Sequence, residues 1–274
     1  MLPDPDNVSE ILAEAAAEEI LPRFRALQNH EVQRKESGEL VTVADVAAEQ
    51  HISRRLLDLL PGSLVVGEEA VAETPRVMDA LAGDAPVWII DPIDGTGNFA
   101  GGVACFAVMT ALVRGGRTLA AWIHDPTTAV TAVAQAGAGA WLNDQRLSVA
   151  PGGPVETLRG TLHSGMFSSP EMTSHIRARR HLVQTIKTLR CAGHEYLRLA
   201  RGDTHFSFFT KMMPWDHAPG VLIHGEAGGT GLTLDGLPYD ASRHPSPALL
   251  LAPDESTWRA LHETLFGDSD FAAP

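Results

Sequence analysis

Cysteine, long apolar runs and clustered basic residues are scarce in this 274-residue sequence. Its two cysteines, Cys105 and Cys191, form no CxxC motif and cannot build a disulfide framework, so we expect buried free thiols in a reducing compartment. No apolar run approaches the ~20 residues that span a bilayer. The acidic, proline-containing segment MLPDPDNVSE also lacks the basic and apolar parts of a secretory signal. We therefore expect a cytoplasmic protein with no membrane partner.

The balance of charge is acidic. A formal net charge of −13 argues against nucleic acid as a general partner, because the phosphate backbone would be repelled. Hydrophobic residues make up 44% of the chain and charged residues 20%, which is typical of a soluble protein with a large core. We expect a single domain, 1–274, made of two packed halves, roughly 1–150 and 151–274, with the PGGP segment between them.

Apolar spacing, caps and glycine or proline stops predict the secondary structure. Asn7 and Glu10 resemble a capping box at the start of the first helix, and Pro22 should end or kink it. The predicted helices are 7–27, 43–60, 170–181, 193–201, 216–228 and 254–266. The predicted strands are 64–66, 87–90, 105–113, 118–124, 130–135, 205–209 and 247–252, with one more near Thr188, and HSGMFSS (163–169) is predicted to be a loop. Because no strict βαβ rhythm appears, the pattern favours a mixed α+β protein with layered sheets.

The stretch WIIDPIDGTGNF, 88–99, combines an apolar strand with two acids at its end. Burying Asp91 and Asp94 together is costly unless the acids face water in a turn or a cation lies between them. Oxygen ligands without thiolates suit a hard divalent cation such as Mg²⁺. Gly95 permits a tight turn, and the N–H groups of Gly95 and Thr96 at a helix start could hold phosphate. The stretch therefore predicts a metal and a phosphate held side by side.

Three further segments carry acids at comparable places. VVGEEA follows a short apolar strand with Glu68 and Glu69, of which we expect Glu69 to face solvent or a neighbouring turn. Asp216 lies at a predicted helix start, where it could also serve as an N-cap. Asp45 falls in the first turn of the second helix with Thr42 as N-cap, a place where an acid also favours the helix dipole.

Taken together, these segments resemble the inositol monophosphatase family of Mg²⁺-dependent, lithium-sensitive sugar phosphatases. The matching motifs occur in the family's order over nearly the whole chain: LVTVAD (40–45), GEE (67–69), DPIDGTGNF (91–99) and WDHAPGVLIHGEAGG (215–229). The resemblance implies a mixed α+β fold, a five-layer αβαβα sandwich. It also implies a homodimer and inhibition by lithium.

The resemblance implies two to three Mg²⁺ ions per site. Glu68, Asp91 and the backbone carbonyl of Ile93 would hold one ion. Asp91, Asp94 and Asp216 would hold a second, and a weaker third would share Glu68. The carboxylates that repel one another in an empty site would then attract the cations.

The catalytic and substrate-binding roles follow from the same resemblance. Asp45 and Thr96 would position and deprotonate the attacking water, and the N–H groups of Gly95 and Thr96 would take phosphate oxygens. The predicted substrate-binding residues are Asp94, Gly95, Thr96, Glu195 and Asp216.

The leaving-group pocket departs from the family pattern. Phe209 stands where the inositol phosphatases have an acid that binds inositol hydroxyls, and an aromatic ring cannot accept those bonds. His194 and Glu195 replace small residues of the family; either could contact a substrate, or both could face solvent in the first turn of a helix. Lys211 could reach an anionic substrate or lie solvated at a strand end. Pro219 replaces a usual alanine and fits in a first helical turn.

We therefore predict a Mg²⁺-dependent phosphomonoesterase that hydrolyses a small polyol or sugar phosphate by direct attack of a metal-activated water, without a phosphoenzyme. Inositol 1-phosphate is the model substrate. The alternatives are a histidinol-phosphate phosphatase and a 3'(2'),5'-bisphosphate nucleotidase. An alternative from another class is a regulatory binding module that retains the fold. The full set of acids argues against this alternative.

Overall fold

The computed structural model of this protein describes residues 2–163, 168–267 and 271, so residues 164–167 of the predicted loop 163–169 lie outside the described residues. The α-helices are α1 (Pro5–Ala15), α2 (Val43–Leu59), α3 (Glu68–Glu73), α4 (Thr96–Ala100), α5 (Pro170–Arg179), α6 (Ala192–Ala200), α7 (Pro214–Glu226) and α8 (Glu255–Phe266). The strands are β1 (Val32–Arg34), β2 (Leu40–Thr42), β3 (Leu64–Gly67), β4 (Val87–Asp94), β5 (Ala107–Arg114), β6 (Arg117–Asp125), β7 (Val130–Gln135), β8 (Gly139–Leu142), β9 (Gln145–Arg146), β10 (Arg159–Leu162), β11 (Gln184–Thr185), β12 (Phe206–Phe209), β13 (Thr230–Thr233) and β14 (Leu249–Ala252).

A seven-stranded sheet runs in the order β3-β4-β5-β6-β7-β8-β9. Only its β3–β4 pair is parallel, and the other pairs are antiparallel. Because side chains alternate along a strand, Trp88 and Ile90 of β4 pack against α1 and α2, while Ile89 packs in the cluster that contains Trp215 of α7. Both faces of this sheet are therefore covered by helices.

A five-stranded sheet runs in the order β11-β10-β12-β14-β13. Phe209 and Leu251 pack with residues of α6 and α7 on one face, and Phe208 and Leu250 pack with residues of α5 and α8 on the other. The layers therefore succeed one another as α1/α2, the seven-stranded sheet, α6/α7, the five-stranded sheet and α5/α8. This confirms the predicted five-layer αβαβα sandwich.

The predicted first helix differs from the observed one at both ends. It begins at Pro5, with Asp4 as N-cap accepting the N–H of Asp6 at 3.0 Å, so the predicted Asn7 capping box is wrong. Proline at the first helical position is the stronger start signal, since its missing N–H is not needed there. After Ala15 the chain continues as a π-helical segment and a 3₁₀ turn, which contains Pro22.

Two other expectations concern the second half and membranes. The strand predicted near Thr188 lies earlier, at β11, where it pairs in parallel with β10. In the part of the chain that the structure describes, no helix combines the length and apolarity needed to cross a bilayer. The assignment of residues 1–274 to one domain stays a prediction.

Helices α6 and α7 approach closely in the middle layer at Gly220. A methyl group at this position would lie 2.1 Å from ring atoms of the fully buried Tyr196. We expect Gly220→Ala to lower the free energy of unfolding by about 1–3 kcal/mol, because neither helix can move without disturbing a sheet. Urea denaturation of both proteins measures the difference.

Gly225 provides the matched control on the same helix. A methyl group there has no heavy atom within 4 Å, so Gly225→Ala should leave stability unchanged or raise it by up to ~1 kcal/mol. Equal losses in the two variants would contradict the close packing at Gly220.

Candidate active site

A bulge in β4 brings two acids to the same side of the sheet. Asp91 pairs with Met109 and Asp94 with Ala107, so one extra residue stands in β4 between these two pairs. Residues three apart in a regular strand point to opposite faces, and the extra residue cancels that alternation. The strand therefore does not end at residue 90, as predicted, but continues to Asp94. Pro92 lies in the bulge, where its missing N–H is tolerated.

Gly95 turns the chain from β4 into α4. Its φ of +88° lies in the left-handed region, and a Cβ would be 3.1 Å from the carbonyl oxygen of Cys105 and 3.2 Å from the Cβ of Cys191. Both the conformation and the space therefore require glycine. The turn places Thr96 at the start of α4, next to the two acids of β4.

Asp216 reaches the same place from α7. The helix begins at Pro214 with Met213 as N-cap, so the predictions that Asp216 serves as N-cap and that Pro219 lies in the first turn are wrong. Asp216 is the third helical residue, and its carboxylate lies with those of Asp91 and Asp94. One oxygen from each of these three side chains lies within 4.8 Å of the others.

Glu68 begins α3 directly after β3, the strand parallel to β4. Lys35 Nζ lies 2.7 Å from Glu68 Oε1 and 2.8 Å from Glu69 Oε1. Lys35 lies in the connection between β1 and β2, so Glu69 contacts a neighbouring turn, which is one of its two expected surroundings. Glu49 of α2 accepts the N–H groups of Glu69 and Ala70, each at 2.8 Å, and so fixes the start of α3.

Lys211 is a second cation at the site. Its Nζ lies 3.0 Å from Asp216 Oδ2 and 2.6 Å from Glu39 Oε1, and its side chain is only 25% exposed. The alternative of a solvated lysine is therefore wrong. Sequence reasoning missed Lys35, Glu39 and Glu49, since nothing local to these residues marks their distant partners.

The acids carry a strong electrostatic strain in the absence of a metal. Burial is the largest cause that raises the pKa of Asp91 and Asp94 above the usual carboxyl range, and neighbouring carboxylates act in the same direction. Burial also raises the pKa of Glu68 to about 8, against the effect of Lys35. Oδ1 of Asp91 is buried and has no hydrogen-bond partner among the described residues. An all-oxygen donor set with such an atom suits a hard divalent cation.

Asp45 and Thr96 meet beside these acids. Asp45 is the third residue of α2 and forms the capping box with Thr42, as its predicted position implies. Thr42 donates its N–H at 2.8 Å and its hydroxyl at 2.6 Å to Asp45 Oδ2. Thr96 Oγ1 lies 3.1 Å from Asp45 Oδ1 and 2.9 Å from the carbonyl oxygen of Ile93. Burial raises the pKa of Asp45 to about 6.

Glu195 is not brought to this site. Its side chain is fully buried and accepts the N–H of Leu189 at 2.6 Å. Position four of α6 points into the interior, so the structure supports neither a substrate contact nor the solvent-facing alternative for Glu195. His194 Nε2 lies 3.2 Å from the carbonyl oxygen of Phe106 and 3.9 Å from Asp125 Oδ2.

A cleft of about 660 Å³ opens above the acids. His163 and Phe209 form an aromatic wall, with ring centroids 4.5 Å apart and ring planes 27° apart. Arg190 lines the cleft as an exposed cation. The described residues that line the cleft also include Glu68, Asp91, Ile93, Asp94, Gly95, Thr96, Lys211 and Asp216.

Comparison with known proteins identifies the family and the fold. A model of the inositol monophosphatase family matches residues 4–271. The chain belongs to the inositol monophosphatase family. An inositol-1-monophosphatase from Rhizobium meliloti (strain 1021) is 32% identical over 216 residues, which are 78% of this chain and 79% of that protein. A Nus factor SuhB from Pseudomonas aeruginosa is 33% identical over 233 residues, 81% of this chain and 83% of that protein.

A solved structure supports the same assignment. An IMPase from Thermotoga maritima superposes with a TM-score of 0.78 at 25% identity, covering 94% of this chain and 96% of that chain. The inositol monophosphatase family is a family of metal-dependent phosphoric monoester hydrolases that act on small phosphates. The family and enzyme class predicted from the sequence are therefore confirmed.

The raised carboxyl pKa values predict how stability depends on pH without metal. A folded-state pKa above the unfolded value means that the folded protein holds a proton that the unfolded chain has lost, so stability falls as pH rises through the folded value. Between pH about 6.5 and about 8, we expect the free energy of unfolding in EDTA to fall by at least about 1.4 kcal/mol, one tenfold change in a proton-binding constant. Glu68, with its pKa of about 8, and Glu49, with its pKa of about 7, both titrate there.

Below pH about 6.5, buried histidines change the free energy of unfolding in the opposite direction. Burial lowers the pKa of His124, His163 and His224 to about 4, so their contribution rises with pH only up to about 6.5. Urea denaturation across the window measures the slope, and Glu68→Gln should flatten it. A slope that is equally steep in Glu68→Gln would contradict the assignment.

Proposed function

We propose that this protein is a Mg²⁺-dependent phosphomonoesterase that hydrolyses a small polyol or sugar phosphate of the inositol 1-phosphate type. The observation that carries the proposal is the convergence of the Asp91, Asp94 and Asp216 carboxylates within 4.8 Å, beside the Asp45–Thr96 pair. A cluster of buried acids without enough cationic partners is costly for a fold and is typical of a functional site.

We assign two to three Mg²⁺ ions to these residues. We assign Glu68, Asp91 and the carbonyl of Ile93 to one ion, Asp91, Asp94 and Asp216 to a second, and Glu68 also to a weaker third. The unpartnered Oδ1 of Asp91 supports this assignment, because it leaves a buried anion free to contact a cation. Bound Mg²⁺ supplies a lowered water pKa and charge stabilisation at phosphoryl oxygens.

We assign proton transfer to Asp45 and Thr96. The Thr96 hydroxyl has one proton and two acceptors within reach, Asp45 Oδ1 and the Ile93 carbonyl, so its remaining lone pairs can accept a hydrogen bond from an attacking water. The two bonds from Thr42 hold the Asp45 carboxylate with Oδ1 towards Thr96. With a pKa of about 6, Asp45 is mainly ionised at neutral pH and still basic enough to take a proton.

Phosphate and leaving group occupy the rest of the cleft in this proposal. We assign the N–H groups of Gly95 and Thr96 to the phosphate oxygens, because they lie at the start of α4. Phe209, in the aromatic wall that it forms with His163, offers no acceptor for polyol hydroxyls. It favours, as the second candidate, a substrate with a flat aromatic group, such as histidinol phosphate or a 3'-phosphonucleotide, and Arg190 would suit a further anionic group.

Family membership supports the finer proposals of lithium inhibition, a homodimer and a cytoplasmic location. One relative is named as a Nus factor, so we also propose that a role in regulation through a protein partner can accompany catalysis in this chain. The complete set of acids favours catalysis as the primary function.

Phosphate release from a panel of phosphomonoesters tests the function. The panel contains inositol 1-phosphate, histidinol phosphate, fructose 1,6-bisphosphate, 3'-phosphoadenosine 5'-phosphate and glycerol 2-phosphate, each with Mg²⁺ or EDTA. We expect turnover with Mg²⁺ only, and loss of both turnover and Mg²⁺-induced thermal stabilisation in Asp91→Asn. A silent, folded protein that co-purifies stoichiometrically with a protein partner would reverse the ranking in favour of regulation.

Asp45→Asn separates proton transfer from metal binding. We expect kcat to fall at least about 100-fold, because the amide cannot accept the proton. The rise in melting temperature on adding Mg²⁺ should remain, since Asp45 is not among the assigned ligands. Loss of that rise in Asp45→Asn would show that the residue holds metal and would contradict its assigned role.

A further inference from the structure

The two cysteines of the chain meet a histidine beside the candidate metal centre. Cys105 lies between α4 and β5, Cys191 is the N-cap of α6, and His194 is the third residue of that helix. One ligand atom from each residue lies within 4.8 Å of the other two. The proposed phosphatase chemistry uses none of these side chains, and the long separation along the chain hides the cluster from motif searches.

The distances suit a soft divalent cation. Zn²⁺ binds thiolate sulfur at about 2.3 Å in tetrahedral sites, so two sulfur ligands of one ion lie ~3.8 Å apart. From separations of at most 4.8 Å, the two sulfur atoms have to approach each other by ~1 Å at most, and the nitrogen has to approach each sulfur by slightly more. Cys105 is half-buried and leaves the cluster open to entering ions, whereas Cys191 is buried.

The Nε2 atom of His194 has the kind of partners that a metal-binding histidine gives to its second ring nitrogen. His194 Nε2 lies at hydrogen-bond distance from the Phe106 carbonyl and 3.9 Å from an oxygen of Asp125, so one nitrogen donates a proton and the other keeps its lone pair. Metal-binding histidines in proteins are held in this way, with the second ring nitrogen bonded to a carbonyl or carboxylate.

Asp94 connects the cluster to the candidate Mg²⁺ centre. Its Oδ2 lies 2.8 Å from Cys191 Sγ, and its two carboxylate oxygens also accept the N–H groups of Ala192 and Gly193 at 3.0 and 2.6 Å. Asp94 is therefore bonded to one residue of the cluster and to the two residues that follow it, so a movement of Cys191 also disturbs Asp94.

We propose that Cys105, Cys191 and His194 form a second metal site, selective for a thiophilic divalent cation such as Zn²⁺, and that its occupation inhibits the phosphatase. Binding releases the two thiol protons to solvent, forms two sulfur–metal bonds and one nitrogen–metal bond, and involves no oxidation. An ion that takes Cys191 as a ligand breaks the bond between Cys191 and Asp94 and so disturbs an acid of the proposed Mg²⁺ centre. The inhibitory part rests on the proposed function, and the binding part does not.

Cobalt tests the binding without any need for turnover. The full-length protein is stripped with EDTA under a reductant, supplied with saturating Mg²⁺ and given one equivalent of Co²⁺. We expect a thiolate-to-cobalt charge-transfer band in the near ultraviolet that Zn²⁺ abolishes. The band should be lost or halved in Cys105→Ser and retained in Asp91→Asn, which lacks a residue of the Mg²⁺ centre only.

No such band in the parent protein, or an undiminished band in Cys105→Ser, would overturn the site. His194→Gln offers an independent variant, and we expect it to weaken Co²⁺ binding at least about tenfold. Because these readouts are spectroscopic, a protein inactive on every substrate could still show them.

Inhibition tests the link to catalysis. At fixed Mg²⁺, the Zn²⁺ concentration that halves phosphate release should rise at least about tenfold in Cys105→Ser and in His194→Gln. Glu18→Gln is the matched control, since Glu18 belongs to a separate group with Glu19 and His51 that could also hold a cation. Equal Zn²⁺ inhibition in all four proteins would show that Zn²⁺ acts elsewhere and would overturn the inhibitory role.

Discussion

The mutual repulsion of buried carboxylates at the end of β4 is the constraint on which the site depends. Asp91, Asp94 and Asp216 are held together by a bulge, a glycine turn and a helix start, all of which are fixed by packing between the layers. Carboxylates that are held together in the low-dielectric interior repel one another, and a bound cation relieves this repulsion. Two lysines supply part of the required positive charge, Lys35 beside Glu68 of α3 and Lys211 beside Asp216.

A bound metal ion would replace these lysines as the partner of the carboxylates. Lys35 and Lys211 are the nearest cations to carboxylates that we assign to Mg²⁺, so metal binding has to weaken or rearrange the ion pairs. Each lysine also contacts a second acid that lies outside the assigned ligand set, Glu69 or Glu39. These second acids give the ammonium groups a partner when the metal takes the first one, which keeps the cost of the exchange low.

Local signals made much of the fold and the acidic constellation predictable. The apolar runs of the two sheets, the Thr42–Asp45 capping box and the Gly95 turn are each encoded by neighbouring residues. Long-range pairings were not predictable, because no residue near Lys211 indicates that Glu39 approaches it. The error about Glu195 has a similar origin. Its place in the first turn of α6 is compatible with a solvent-facing acid, and only the packing of α6 between the sheets shows that the side chain is buried.

Helix α2 carries two buried acids one turn apart, and each of them sets a different part of the site. Asp45 bonds to Thr96, whereas Glu49 bonds to the N–H groups at the start of α3 and occupies the space that a side chain at residue 67 would need. The proposed base and the proposed metal-binding acid of α3 are therefore both positioned by the same helix, from residues one helical turn apart. A shift of α2 would consequently move the proposed proton acceptor and the proposed cation site together.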